Sequence, residues 1–392
     1  MHPRSDVESG PQSESCAAQG IPTSQRSPQL TITNHGLRNS GGIERYALTL
    51  VRGLHDRGIR PTFIAKAFDA ALPEYSWVQP IRVRMTGIPN KLRDLVFDWH
   101  IGRIKRRLGL FPLIACNQTH AADIAICGSV HPGYLAAMGQ RASLSDGWRT
   151  RLELRHLSNA QVIVAHSQRM AAEVALHHGV SAAKIKVIYP PVDAGRFHTV
   201  DADRRVALRR QFELPKDRAV FLLASTGHKR KGLDLLLEFF QGTDLPICLA
   251  VAGRPISGAS DRVRYLGYRS DIEDVFRAVD FTVVASRYEP FGLVGVESVL
   301  CGTPLVLADN VGCAEVIGGA AQLPFSLERS DSLGAAAAEA VRRWQRGVHR
   351  LENPFACLQY DPSVSVHIDA LLALVDDIAC HAVHVRTTAP SE

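Results

Sequence analysis

Two short strings hold the side chains with the clearest chemical capacity in this chain. One is Lys229-Arg230-Lys231-Gly232, and the other runs from Glu289 through Pro290-Phe291-Gly292-Leu293 to Glu297. Residues 281–285 form an apolar run bounded by polar residues, which reads as a buried strand. Pro290 and Gly292 then turn the chain, residues 293–300 carry apolar side chains at helical spacing, and Gly302 supplies a stop. Strand, turn and helix in that order place free amides and a positive dipole end at the carboxyl edge of a sheet, where an anion binds. A carboxylate next to that anion is repelled by it. It makes sense there only as an acceptor of hydroxyl hydrogen bonds with a cation close by. Arg230 and Lys231, at another strand-to-helix turn of the same predicted sheet, supply that cation. The ligand so described is an anion with a hydroxyl-rich group on each side, and a nucleotide diphosphate sugar fits it. The plainer alternatives are an ordinary exposed glutamate on an amphipathic helix and a solvated run of charge.

The elements that must position these groups alternate. Apolar runs at residues 29–34, 60–65, 81–85, 113–117, 123–127 and 161–165 read as strands separated by helical stretches, among them 43–51 and 168–178. After a proline-stiffened linker at 184–193, the alternation resumes with strands at 219–224, 247–253, 263–267, 281–285 and 305–308. The fold class is α/β, with two Rossmann-like, doubly wound parallel-sheet domains. The expected boundaries are 29–191 and 192–364, then a closing helix within 365–384, with disordered ends at 1–28 and 385–392. Between the first strand and helix lies Gly41-Gly42, which lets backbone approach a ligand or simply makes a turn. No G-x-G-x-x-G is present, so the dinucleotide fingerprint is absent. His131 follows the strand at 123–127, at the sheet edge where ligands bind, and His120 is its rival. Residues 91–107 combine six basic residues with Trp99 and apolar side chains. That stretch can lie on an anionic membrane or be a packed surface helix.

The 392 residues, 46% hydrophobic and 21% charged, suit two globular domains, and the +6 charge suits an anionic ligand or surface. The eight cysteines have no metal-type spacing, and no apolar run is long enough to span a bilayer. Cysteine usage points to a reducing compartment, and the expected location is cytoplasmic, including the inner face of a bacterial inner membrane.

Glu289 and Glu297 with Pro-Phe-Gly-Leu between them and Gly302-Thr303-Pro304 after them resemble the donor-site signature of retaining glycosyltransferases of family 4. Lys229-Arg230-Lys231-Gly232 resembles the family's diphosphate clamp, and Gly41-Gly42 its glycine loop. The resemblance covers residues 29–350 and implies the GT-B architecture, with the active site in a cleft between the domains and the closing helix at 365–384 crossing back to the first domain. By it, Glu289 accepts from the donor sugar, Glu297 from the ribose, and His131 reaches the transferred sugar. Arg230 and Lys231 hold the diphosphate with Phe291, Gly292 and Leu293, while Gly267-Tyr268-Arg269 borders the base. The Gly-Gly-Ile-Glu-Arg loop and the clamp look most like lipopolysaccharide inner-core glucosyltransferases. The implied co-substrate is UDP-glucose, the implied acceptor a glycan or glycolipid, and no metal, cofactor or nucleic acid is expected. Alternatives are another family 4 specificity for mannosyl or N-acetylhexosaminyl transfer, an epimerase or phosphorylase on similar paired domains, and a non-catalytic sugar-nucleotide-binding protein.

Overall fold

Short aliphatic strands shielded on both faces favour parallel pairing, with helices on each side. The computed structural model describes residues 30–388. In the first half, β1 (Thr31–Thr33), β2 (Thr62–Ala65), β3 (Gln79–Arg82), β4 (Leu113–Ala115), β5 (Ile124–Cys127), β6 (Val162–Ala165) and β7 (Ile185–Val187) form one parallel sheet, in the order β3-β2-β1-β4-β5-β6-β7. In the second, β8 (Ala219–Ser225), β9 (Ile247–Gly253), β10 (Val263–Gly267), β11 (Phe281–Val284), β12 (Leu305–Ala308) and β13 (Gln322–Phe325) are also all parallel, ordered β10-β9-β8-β11-β12-β13. The helices are α1 (Gly42–His55), α2 (Arg93–Leu108), α3 (His131–Ala137), α4 (Leu144–Asn159), α5 (Gln168–His178), α6 (Ala202–Gln211), α7 (Leu233–Gly242), α8 (Ile272–Ala278), α9 (Leu293–Leu300), α10 (Ser332–Gln345) and α11 (Val364–Thr388).

Strand order reverses between β1 and β4, and again between β8 and β11. Loops leaving the carboxyl ends of strands at such a reversal splay apart and leave a crevice. The loops after β8 and β11 contain Arg230, Lys231 and Glu289, so topology brings together groups 59 residues apart in sequence.

α11 completes the first domain rather than the second. Its Ile368, Leu371, Val375 and Ile378 are buried in one core with Leu50 and Leu54 of α1. A Cβ placed on Gly53 would lie 2.6 Å from Ile368 Cγ1, so the two helices meet almost at the backbone. Arg57 pairs with Asp369 at 2.6 Å beside that contact. The helix also continues to Thr388, through residues 385–388 that composition alone marks as disordered. Its last turns follow on from a packed amphipathic stem, which local composition does not reveal. The leader at 1–28 and the end of the tail lie outside the described residues.

Other departures are local. The strand expected at 81–85 lies at Gln79–Arg82. The linker at 184–193 contributes β7 at the sheet edge, too short to show alternation. α4, with few apolar residues, is started by a capping box in which Ser143 accepts from the Asp146 amide and Asp146 accepts from the Ser143 amide. Five described cysteines are buried and unpaired, Cys357 is half-buried and Cys380 exposed.

One buried charge anchors the second domain. Asp280 accepts from the Val220 amide at 2.9 Å and from Arg205 and Arg209 at 2.6 and 3.1 Å. Burial opposes its ionisation, but His349, Arg209, the Val220 amide and Arg205 together hold it down at about 2. Asp280→Ala would strand two arginines, at an expected cost of ~3–5 kcal/mol in urea unfolding. Because this carboxyl is depressed, its contribution is complete above the ordinary aspartate range and fades as pH falls towards about 2.

Candidate active site in the interdomain cleft

The loops after β8 and β11 are locked together before any ligand arrives. Gly232 has φ +72°, and a Cβ there would lie 2.2 Å from the Ala285 carbonyl oxygen, so only glycine lets the loops approach this closely. The Arg287 amide donates to the Arg230 carbonyl at 2.8 Å, and its guanidinium donates to the Lys229 carbonyl and forks onto Asp234 at 2.7 and 2.8 Å. From the other side, Asn310 Nδ2 donates to the carbonyls of Ser286 and Arg287 at 3.0 Å.

Three donors therefore converge on one oxygen. Arg230 Nη1, Lys231 Nζ and Ser286 Oγ reach Glu289 Oε2 at 2.8, 2.5 and 3.3 Å. The other carboxylate oxygen, Oε1, receives no hydrogen bond from any described residue. Burial alone would push this carboxyl up, but Lys231 and Arg230 hold it below its ordinary value, so it stays ionised. Lys231 is buried and Arg230 half-exposed, while Lys229, the third cation of the string, is exposed.

Beside this cluster α9 begins at Gly292, whose φ of 92° is a left-handed cap, and no side chain caps the helix. Its leading amides are thus open to an anion. Glu297, inside the helix, is buried and makes no hydrogen bond with any described residue. Burial raises its carboxyl, opposed by the nearby cations Arg45, Arg196 and Lys231. Arg45 stands in the first turn of α1, just past the Gly41 cap and Gly42, so the start of that helix lies within electrostatic reach of Glu297.

The remaining expected residues divide. Phe291 is buried, its ring 6.1 Å from Tyr189 and 6.4 Å from Tyr360, so its side chain packs the hinge and only its backbone is available. Tyr268 is exposed, whereas Arg269 is held on Asp271 at 2.8 and 2.5 Å and stacked over Phe212 at 4.9 Å. Gly267 has φ +79° and open space where a Cβ would lie. His131 starts α3 with its amide donating to the buried Glu153 at 2.9 Å and its Nε2 donating to Asp146 at 2.9 Å. Hydrogen bonds from Ser143, then His131, draw the Asp146 carboxyl down to about 2. His120 instead bonds the buried Asp98 at 2.8 Å and packs against Gly102 of α2.

Sequence reasoning missed the residue that joins the two walls. Tyr288 Oη accepts from the Val130 amide at 2.8 Å and donates to Glu173 at 3.0 Å, and its ring lies 5.8 Å from Tyr134. Tyr288 adjoins Glu289, and Val130 adjoins His131, so one phenol ties the donor loop to the first domain. Glu315 likewise accepts from the Gln168 amide at 2.6 Å and caps α5 across the cleft. A Tyr within a turn carries no periodic signal. Arg45, four residues past Gly41, could have been found by its spacing.

Two doubly wound parallel-sheet domains sharing one charged cleft define the GT-B architecture. The chain belongs to glycosyltransferase family 4: residues 40–196 match the model Glycosyltransferase Family 4, and residues 205–322 match Glycosyl transferases group 1. It is 45% identical over 353 residues to a probable transglycosylase of Burkholderia thailandensis, covering 89% of this chain and 97% of that protein. It is 28% identical to a D-inositol 3-phosphate glycosyltransferase of Xylanimonas cellulosilytica, covering 72% and 78%. Among solved structures, WaaG, a glycosyltransferase involved in lipopolysaccharide biosynthesis, superposes with TM-score 0.69 at 15% identity, over 81% of this chain and 92% of that one. Anabaena Alr3699/HepE in complex with UDP and glucose gives TM-score 0.70 at 19% identity, over 89% and 99%. These two likenesses establish the fold.

Proposed function

We propose that this glycosyltransferase is a retaining, metal-independent hexosyltransferase that moves glucose from UDP-glucose to a hydroxyl of a cell-envelope glycan, the lipopolysaccharide core being the favoured acceptor. The observation that carries the reading is the meeting of Arg230 and Lys231 on one oxygen of Glu289 beside the uncapped start of α9. With donor bound, the two cations, the amides after Gly292 and the Gly41-Gly42 turn stabilise the departing diphosphate, as preorganised donors stabilise charge that develops in a transition state. Glu289 Oε1 accepts from the donor sugar, Glu297 from the ribose, and His131 orients the transferred sugar. The bond between C1 and the β-phosphate oxygen breaks, that oxygen leaves with the diphosphate, the acceptor oxygen joins C1 on the same face, and the acceptor proton leaves on the diphosphate. The backbone of 267–269 borders the base. In this reading the enzyme works at the inner face of the membrane, with residues 91–107 towards lipid. The complexes of Anabaena Alr3699/HepE with UDP and with UDP-glucose support the choice of donor.

The test is a panel of nucleotide sugars, with simple glycosides in parallel because of the name carried by the Burkholderia relative. UDP-glucose should raise the melting temperature most and be consumed, giving a product with the donor's anomeric configuration by NMR. Transfer from a glycoside with no nucleotide present would refute the reading. The raised Glu297 carboxyl adds a pH signature. Donor affinity should weaken as pH falls through the raised pKa of Glu297, because protonation removes its charge and part of its acceptor capacity. Without donor the sign reverses: a raised carboxyl favours the folded state at low pH and loses that contribution as pH rises through its folded pKa. Titration calorimetry of UDP-glucose against pH should show the first trend in wild type, and a flat profile in Glu297→Gln.

A further inference from the structure

Glu289 is bracketed by two hydrogen bonds that cross between the domains. On one side of it, Tyr288 Oη accepts from the Val130 amide at 2.8 Å and donates to Glu173 at 3.0 Å, with the Val130 carbonyl at 3.1 Å as its alternative acceptor. On the other side, the Pro290 carbonyl accepts from Ser167 Oγ at 2.7 Å. The partners are fixed points of the first domain. Val130 is the N-cap of α3, Ser167 is the N-cap of α5, and Glu173 lies within α5.

The phenol is the tie that runs between the two expected sugar contacts. Room for it is left by Gly133 of α3, where a Cβ would lie 2.8 Å from Glu173 Oε2 and 3.6 Å from the Tyr288 ring. Burial, then the charge of Glu173, pushes the phenol up, so it keeps its proton and can donate. The backbone of Tyr288 belongs to the donor site. Its carbonyl accepts from Arg230 Nη1 at 2.9 Å, and the same nitrogen reaches Glu289 Oε2 at 2.8 Å. One residue is therefore fastened to the Arg230 cation by its main chain and to the start of α3 by its side chain. His131, next along from Val130, is itself held through its amide by Glu153 and through its ring by Asp146, each at 2.9 Å. The start of α3 thus has little slack to absorb a shift of the donor loop.

We propose that Tyr288 is a positioning residue for transfer: its phenol sets the spacing between Glu289 and His131, so that a hexose held by both presents C1 in one fixed attitude. The inference rests on the donor reading above and adds to it a residue that acts without touching the donor. Rates respond steeply to such placement, and an error of ~1 Å costs on the order of 10²-fold. Tyr288→Phe keeps the ring and its contact with Tyr134 but removes every hydrogen bond of the phenol. Glu289 and His131 then lose their common reference, while Arg230, Lys231 and α9 stay as they are.

The test compares the full chain as wild type and as Tyr288→Phe, with UDP and UDP-glucose as probes. UDP is gripped by the two cations and the amides of α9, so its Kd by titration calorimetry should change by less than ~2-fold. The chemical step is read as single-turnover consumption of UDP-glucose by excess enzyme, with water as acceptor. The bond between C1 and the β-phosphate oxygen breaks, that oxygen leaves with UDP, the water oxygen joins C1, and one water proton leaves on UDP. That rate should fall ~10–100-fold. Glu173→Ala, which removes one acceptor of the phenol, should slow the same step ~3–10-fold, and the double variant should be no slower than Tyr288→Phe, because both act through one bond. A merely structural phenol would lower the melting temperature and leave the rate of the folded enzyme unmoved. Should Tyr288→Phe fail to fold, Glu173→Ala decides by the same rate and the same Kd. An unchanged rate, a Kd for UDP that weakens in step with the rate, or additive losses in the double variant would overturn the proposal. Failure of the donor reading shows separately, in wild type alone, as no binding of UDP or no consumption of UDP-glucose.

Discussion

Lys231→Ala is expected to lower transfer by ~10²–10³-fold in kcat, the range seen when one preorganised donor is removed from a site of developing charge. The ammonium is buried, sits 2.5 Å from Glu289, and is held by a loop that Gly232 keeps against the carbonyl of Ala285. A charge fixed in this way needs no reorganisation when the diphosphate departs, so its loss falls on the chemical step. Arg230 remains, half-exposed and bonded to the Tyr288 carbonyl at 2.9 Å, and keeps Glu289 ionised. The fold should survive, with an unchanged circular dichroism spectrum and a melting temperature close to wild type. Initial rates with a saturating donor provide the check, and a wild-type rate in the folded variant would remove Lys231 from the mechanism.

Glu289→Gln is expected to act differently. The amide keeps the shape of the side chain but surrenders the charge, and with it a charge-assisted hydrogen bond to a sugar hydroxyl worth ~1.5–3 kcal/mol, a fall of about 10–150-fold in kcat. The same change removes a negative charge beside the diphosphate and frees Arg230 and Lys231 from their partner. Donor KM should therefore stay level or fall. That split separates an acceptor role for Glu289 from a purely structural one, in which kcat and stability would drop together. Steady-state kinetics with the donor varied read it directly.

The chain announces its architecture through its strands. Runs such as 219–224 and 247–253 are apolar on both faces because parallel strands are covered on both, and alternation with helices then fixes a doubly wound order. The charged strings were legible too, because Glu289, Arg230 and Lys231 sit in strand-to-helix turns that topology must bring to one crevice. What could not be read is contact across the cleft. Nothing local marks Tyr288 as the phenol between Val130 and Glu173, or Glu315 as the cap of α5. Both act on residues more than a hundred positions away. α4 stayed hidden for a related reason: its exposed face carries Leu144 and Trp148, so its pattern lacks the clean apolar stripe of a packed helix.

Titration calorimetry of UDP with wild type, Arg230→Ala and Lys231→Ala tests the account most directly. The expected result is saturable binding by wild type, weakened at least ~10-fold in each variant, as suits the loss of one charge-assisted contact. Equal affinity in all three proteins, or no binding of any nucleoside diphosphate by folded wild type, would contradict it.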